Sequence, residues 1–237
     1  FDEEPVDVRA RVLPDTPQGR LASVYLLSLL EGDRRRASRT ILDAAKGPES
    51  VPDIYLHVLL PAQAEIGRMW MTGEINVAEE HFASHTTKMV MGQLLSRAAF
   101  QPLNGKTVLA AAVASNQHDI GLNAVADFFD MAGWRTIQLG ADVPINDLAQ
   151  AVECFDADLV ALSVSLSVQF ETVKSTIQAI KSGRRGDLVK ILVGGLAFAE
   201  SGNLAVEMGA DGYAAAPDEA VRVAGDLVGL QDGRNAQ

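Results

Sequence analysis

Between residues 105 and 230, five short apolar runs alternate with five segments of helical period, and no other feature of the chain limits its fold as strongly. The runs lie at Thr107–Val113, Thr136–Leu139, Leu159–Ser163, Leu188–Val193 and Gly212–Ala215. The helical segments begin near Asp119, Asn146, Val168, Gly202 and Pro217. Parallel strands need long crossovers, which helices provide, so strict alternation points to a parallel sheet covered by helices. The expected domain is a flavodoxin-like, doubly wound five-stranded sheet. In such sheets a ligand sits beyond the carboxyl ends of the strands.

The first part of the chain has a different texture. Residues 19–98 read as four helices, with apolar positions recurring at intervals of three and four and Gly32, Gly47 and Gly73 at the stops. They predict a four-helix bundle, in which Pro61 kinks the third helix or marks its effective start. The boundary falls near Pro102, residues 1–18 and 231–237 read as tails, and the chain is of class α followed by α/β. No internal repeat or low-complexity stretch is present.

Of the 237 residues 48% are hydrophobic, ample for packed cores, while the net charge of −11 argues against direct nucleic-acid binding. The single cysteine, Cys154, excludes an internal disulfide framework and reads as a small buried hydrophobe. No run reaches the roughly 18 apolar residues of a membrane span and no secretory signal opens the chain, so a cytoplasmic protein is expected. The first residue is Phe1 and not Met, from which a processed or trimmed chain is expected.

Three loops at the carboxyl edge carry unusual content: "ASNQHDIG" after the first strand, "SVSLS" after the third and "GGLAF" after the fourth. Ser163, Ser165 and Ser167 supply short hydroxyls, and Gly194 and Gly195 lack a Cβ, so backbone can approach a ligand closely there. His118 is the group in these loops that can give a lone pair to a metal, with Gly121 leaving room beside it at the helix start. Two readings of His118 remain open on these grounds. It is either such a ligand or a polar residue in a turn whose helix is capped by Asn116 or Asp119.

The pattern resembles the cobalamin-binding domain shared by methionine synthase, corrinoid proteins and cobalamin photoreceptors. That family's Asp-x-His-x-x-Gly motif is matched by Asn116, His118 and Gly121, with Asp119 and Ile120 between them. The family's serine element is matched by Ser163 and Ser165, and its glycine pair by Gly194 and Gly195. The resemblance implies that His118 is the lower axial ligand of cobalt and that the nucleotide tail of the cofactor enters a slot beneath it. It covers residues from about 105 to 230, including "GADVPINDL" after the second strand. The departure is Asn116, where the family has an aspartate. An amide oxygen still accepts the second imidazole N–H, without the charge that raises ligand basicity.

Trp70, followed after nine residues by Glu80 and His81, resembles the Trp-x9-Glu-His signature of cobalamin-dependent photoreceptors of the CarH and LitR type. A core tryptophan and an ordinary acidic helix start would give the same spacing. The resemblance implies that the bundle caps the upper face of the corrin, with Trp70 and Glu80 around the adenosyl group of adenosylcobalamin. It implies a light-sensing module that signals by loss of that group and cap rearrangement, with a homo-oligomer, dimer or tetramer, and an output domain or partner protein. It also leaves room for a bilin, such as biliverdin, as second chromophore. Met71 replaces the histidine that binds cobalt after photolysis in well-known members, so His81 or His85 would have to take that place. The alternative function is a corrinoid shuttle protein of a methyltransferase system. A phosphorylated receiver domain shares the fold, but Ala114, Ser115 and Ser163 stand where its acidic residues would be.

Overall fold

A computed structural model describes residues 15–199 and 202–230. Most of both expected tails, 1–14 and 231–237, lies outside the described residues. The chain divides between Ala98 and Ala99 into two units.

In the first unit, α1 (Pro17–Leu30) starts two residues before the expected boundary because Thr16 caps it, its Oγ1 accepting from the Gly19 N–H at 3.0 Å, and Pro17 sits where no N–H is needed. Next comes α2 (Arg34–Ala44), capped by Asp33. The third helix, α3, is built of three contiguous segments: Val51–Ile54, a π-helical turn Tyr55–Leu59, and Leu60–Met71. The π turn lies just ahead of Pro61. The N–H of Leu60 reaches back five residues to the carbonyl of Tyr55, and this wider turn accommodates a proline that has no N–H to donate. The fourth helix, α4 (Val77–Leu95), opens on a capping box. Asn76 Oδ1 accepts from the N–H groups of Ala78 and Glu79, and the Glu79 carboxylate accepts from the Asn76 N–H. Tyr25, Leu26, Ile41, Ile54, Leu59, Ile66 and Leu94 form the buried interior. The Tyr25 hydroxyl lies 2.7 Å from Thr87 Oγ1, which also accepts from Gln63, and burial pushes the Tyr25 phenol above its ordinary range.

The second unit is the expected parallel sheet. Its strands are β1 (Thr107–Val113), β2 (Arg135–Val143), β3 (Leu159–Ser163), β4 (Lys190–Gly194) and β5 (Gly212–Ala214), in spatial order β2-β1-β3-β4-β5. Helices α5 (Ile120–Met131), α6 (Ile145–Cys154), α7 (Phe170–Lys181), α8 (Asn203–Glu207) and α9 (Pro217–Leu227) alternate with them. The chain steps from β1 outward to β2 and returns to β3 on the other side of β1, so the loops after β1 and β3 flank the switch point of the sheet. All seven residues of β1 are buried, and they alternate between faces: Leu109, Ala111 and Val113 join the large core, while Ala110 and Ala112 meet Leu122 and Ala126 of α5.

Three strands and one burial differ from the sequence reading, the smallest difference being in β5, which stops at Ala214, one residue short of the expected end. At the edge of the sheet, β2 is longer than expected, running on through Gly140 and Asp142, whose φ angles of 82° and 54° belong to the left-handed region, with irregular pairing to β1. A turn closed by the bonds of Leu188 and Val189 to the Arg185 carbonyl delays β4 to Lys190. Cys154 is exposed and not buried, because α6 turns Leu148 and Val152 to the core and Cys154 ends the helix off that stripe. Among the described residues no helix is long and apolar enough to cross a membrane.

Candidate functional site

At the switch point the chain brings His118, Asn116 and Ser163 together. Asn116 is fully buried, and its Nδ2 donates to the Ser163 carbonyl at 3.0 Å. That bond fixes which way the amide faces. Its Oδ1 is then turned to the His118 loop, where it accepts from the His118 N–H at 3.1 Å and lies 3.2 Å from His118 Nδ1. An oxygen that only accepts requires the hydrogen on Nδ1, so in the neutral ring the lone pair is on Nε2. His118 is exposed, and Nε2 has no protein partner among the described residues. The capping role open to Asn116 and Asp119 in the sequence is not taken up: Asp119 precedes α5 without a side-chain cap bond, and Asn116 serves the histidine.

Ser163 and Gly194 are register partners at the ends of β3 and β4, so the serine and glycine elements are adjacent. Gly195 has φ 109° and ψ 170°, a region open in practice to glycine alone. A Cβ there would lie 2.2 Å from the Val164 carbonyl oxygen, and one at Gly194 2.7 Å from that of Ala214. The close approach these glycines permit is therefore to the protein's own backbone. Gly121 is the opposite case, since a Cβ on it meets nothing within 4 Å. Ile120 precedes it as the first residue of α5, and Ser165 follows β3 partly exposed.

Four features of this edge escaped the sequence reading. Gln169, only 3% exposed, donates to the Ser115 carbonyl and accepts from the N–H groups of Ser165 and Leu166. Asp142 accepts from the Ser115 N–H at 2.7 Å and from Gln117. Ser115 itself has φ 66°, unusual for a residue with a Cβ. Finally, Leu166 and Val168 after β3 and Leu196 after β4 are apolar yet 49%, 83% and 79% exposed. The quoted loops contain these residues, but neither spacing nor composition marks a buried glutamine as a clamp.

In the helical unit Trp70 lies in the last turn of α3 and is 46% exposed, whereas a tryptophan serving only the core would be buried as Trp134 is, at 2%. Glu80 lies in the first turn of α4 and accepts from the Ser84 hydroxyl one turn on, and exposed His81 lies 3.7 Å from it. Arg68 clamps the intervening turn by bonding both Glu65 and Glu74, and these two carboxylates raise its pKa. His81 and His85 are exposed, and no group of three metal-ligating side chains occurs among the described residues.

A doubly wound domain with an exposed histidine at its switch point has the arrangement of a ligand-binding domain of the open-sheet class. The comparisons agree with that class. Residues 106–222 match the model of the B12 binding domain and residues 21–95 match a second B12 binding domain model, so the chain is a Rossmann-like B12-binding domain preceded by a helical cap, and its cofactor is a corrinoid. A corrinoid protein of Desulfitobacterium hafniense is 26% identical over 207 residues, covering 85% of this chain and 94% of its own length. A dimethylamine corrinoid protein of Methanosarcina barkeri is 26% identical over 196 residues, 79% of this chain and 88% of its own. The HTH-type transcriptional repressor CarH of Myxococcus xanthus is 31% identical over 141 residues, but these are 59% of this chain and 46% of the repressor. In fold, the chain matches the structure of the monomethylamine corrinoid protein of Methanosarcina barkeri with a TM-score of 0.74 at 17% identity, over 90% of this chain and 99% of that one.

These findings correct the light-sensing expectation. The relatives matched over most of this chain and of their own length are corrinoid proteins, one of them named for dimethylamine, and the photoreceptor reading with its adenosyl-loss signal and bilin gives way to them. The spacing that suggested it has a local cause. A helix end at Trp70, a short turn and the Asn76–Glu79 capping box place acidic residues at the start of α4 whatever the cap does.

Proposed function

We propose that this chain is a corrinoid protein that carries methyl groups within a methyltransferase system, passing them between partner enzymes. The observation that supports this reading over a regulatory one is the extent of the relatives' match: corrinoid proteins align through both units, 94% of the length of one of them. A bound corrinoid would supply the methyl-transfer chemistry between the partners. The chain's own residues do the rest. His118 would hold the cofactor's metal through Nε2, Asn116 holds the imidazole through Nδ1, and Ser163, Ser165, Gly194 and Gly195 would border the cofactor's nucleotide tail, with Asp119, Ile120 and Gly121 opening the helix beside it. Trp70, Glu80 and His81 are the cap's candidates for contact with cofactor or partner.

The test uses the purified chain loaded with cobalamin, reduced by titanium(III) citrate and given radiolabelled methyl iodide. Label should stay with the protein through gel filtration and leave to a thiol acceptor when a methyltransferase is added. A loaded, reduced protein that takes up no label overturns the reading.

Gly121 separates binding from folding. Because its Cβ would enter open space and α5 gains from a better helix former, Gly121→Ala is expected to leave the melting temperature unchanged or raised, by up to about 1 kcal/mol of stability. Cobalamin affinity measured by equilibrium dialysis should fall about tenfold, ~1.4 kcal/mol, as the methyl group meets the corrin. Unchanged affinity would place Gly121 away from the ring.

A further inference from the structure

Two buried carboxamides join the loops after β1 and β3, and each does for its own loop what the other does for the opposite one. Asn116, on the first loop, donates to the carbonyl of Ser163 on the second and accepts at Oδ1 from the His118 N–H of its own loop, with the imidazole Nδ1 3.2 Å away. Gln169, on the second loop, donates to the carbonyl of Ser115 on the first at 3.0 Å and accepts from Ser165 and Leu166 of its own at 3.2 and 3.1 Å. Neither amide can turn over, because reversal would set oxygen against carbonyl oxygen and nitrogen against N–H. Nor can a carboxylate replace either one, since it has no hydrogen to give to the opposite loop. Burial, at 0% and 3% exposure, makes a lost partner costly, because no water stands ready to replace it.

Gln169 also takes hold of a particular residue. Ser115 lies in the left-handed region, is pinned through its N–H by Asp142 and through its carbonyl by Gln169, and is directly followed by Asn116. Freeing that carbonyl lets Ser115 relax toward ordinary backbone angles, and Asn116 and His118 must then move with it.

We propose that Gln169 is a positioning residue for the cofactor: with Asn116 it forms a reciprocal clamp that holds the His118 imidazole in one tautomer and one orientation before any corrinoid arrives. The clamp also accounts for asparagine at the motif's first position, because the Ser163 carbonyl requires a donor there. The proposal rests on the reading of His118 as the lower ligand of cobalt, and its test is arranged so that the two fail separately.

The cofactor-free protein, labelled with 15N at histidine, is compared with Gln169→Leu, which removes both halves of the amide, and with Gln169→Glu, which keeps the acceptor and loses the donor. Wild type should show the His118 ring as a single Nδ1–H species, and both variants a mixture of tautomers. Cobalamin affinity should fall about 10–100-fold in Gln169→Leu, the usual effect of losing a residue that orients a metal ligand, and less in Gln169→Glu. If Gln169→Leu does not fold, the isosteric Gln169→Glu decides alone. Retention of the wild-type ring signature and affinity in Gln169→Glu overturns the proposal, and loss of the single-tautomer signature sustains it. His118→Ala loaded with cobalamin serves as the separate control. An unchanged visible spectrum there would overturn the ligand reading, while the ring signature of the cofactor-free protein still judges Gln169.

Discussion

Gly195→Ala is expected to destabilise the sheet domain and to abolish tight cobalamin binding together. At φ 109° and ψ 170° an alanine carries backbone strain of about 1–3 kcal/mol before any contact is counted. Its Cβ would then sit 2.2 Å from the Val164 carbonyl oxygen and 2.9 Å from the Val164 carbonyl carbon and nitrogen, far inside contact distance. That stretch of backbone has little freedom to withdraw. The Val164 N–H is bonded to the Gly194 carbonyl and the Val164 carbonyl accepts from the Ala197 N–H, so relief at 195 must break the link between the ends of β3 and β4. A drop in melting temperature of at least about 5 °C should follow. Isothermal calorimetry with cobalamin at a temperature where the variant is folded should find binding weakened by more than tenfold. A variant that melts within 1–2 °C of wild type would mean that the loop repacks around the new methyl group.

The second large effect belongs to His118, and it should appear in the cofactor alone. The imidazole is exposed, caps no helix and fills no core, so His118→Ala should fold and melt as wild type does. On the proposed reading of His118 as the cobalt ligand, the visible spectrum of bound cobalamin should move to that of a form without a histidine ligand, and affinity should fall at least about tenfold, ~1.4 kcal/mol. Added imidazole should partly restore the wild-type spectrum, which distinguishes a missing ligand from a damaged pocket. An unchanged spectrum in His118→Ala would remove His118 from the cobalt site.

The architecture was readable because its signals are periodic. Every strand and helix of the sheet domain is announced by an apolar run or a segment of helical period, and the four cap helices by their intervals of three and four. Less was readable where backbone departs from the average. Nothing in "GADV" marks Asp142 as left-handed and bonded to Ser115, and the turn ahead of β4 looks in sequence like the strand itself. At the site, residues with distinctive chemistry stood out, namely His118, the serines and the glycine pair. Gln169 did not, because its role depends on which carbonyl lies opposite it, a fact of tertiary structure. Trp70 misled for the reverse reason. Its spacing to Glu80 and His81 follows from a helix hairpin with a capped second helix, and the light-sensing function inferred from that spacing is contradicted by the corrinoid-protein relatives.

The alanines of β1 have a consequence for how the ligand loop moves. Ala110 and Ala112 let α5 approach the middle of the sheet through contacts the size of a methyl group, against Leu122 and Ala126, and every residue of that strand is buried. A helix seated so closely has no loose layer of long side chains to slide on, and β1 has a paired neighbour on both sides. The amide protons of β1 should accordingly be among the last in the molecule to exchange with heavy water, opening only when the whole domain unfolds. The loop bearing His118 springs directly from that strand and runs directly into that helix, so its anchor points keep time with global unfolding and not with the quicker breathing of the surface.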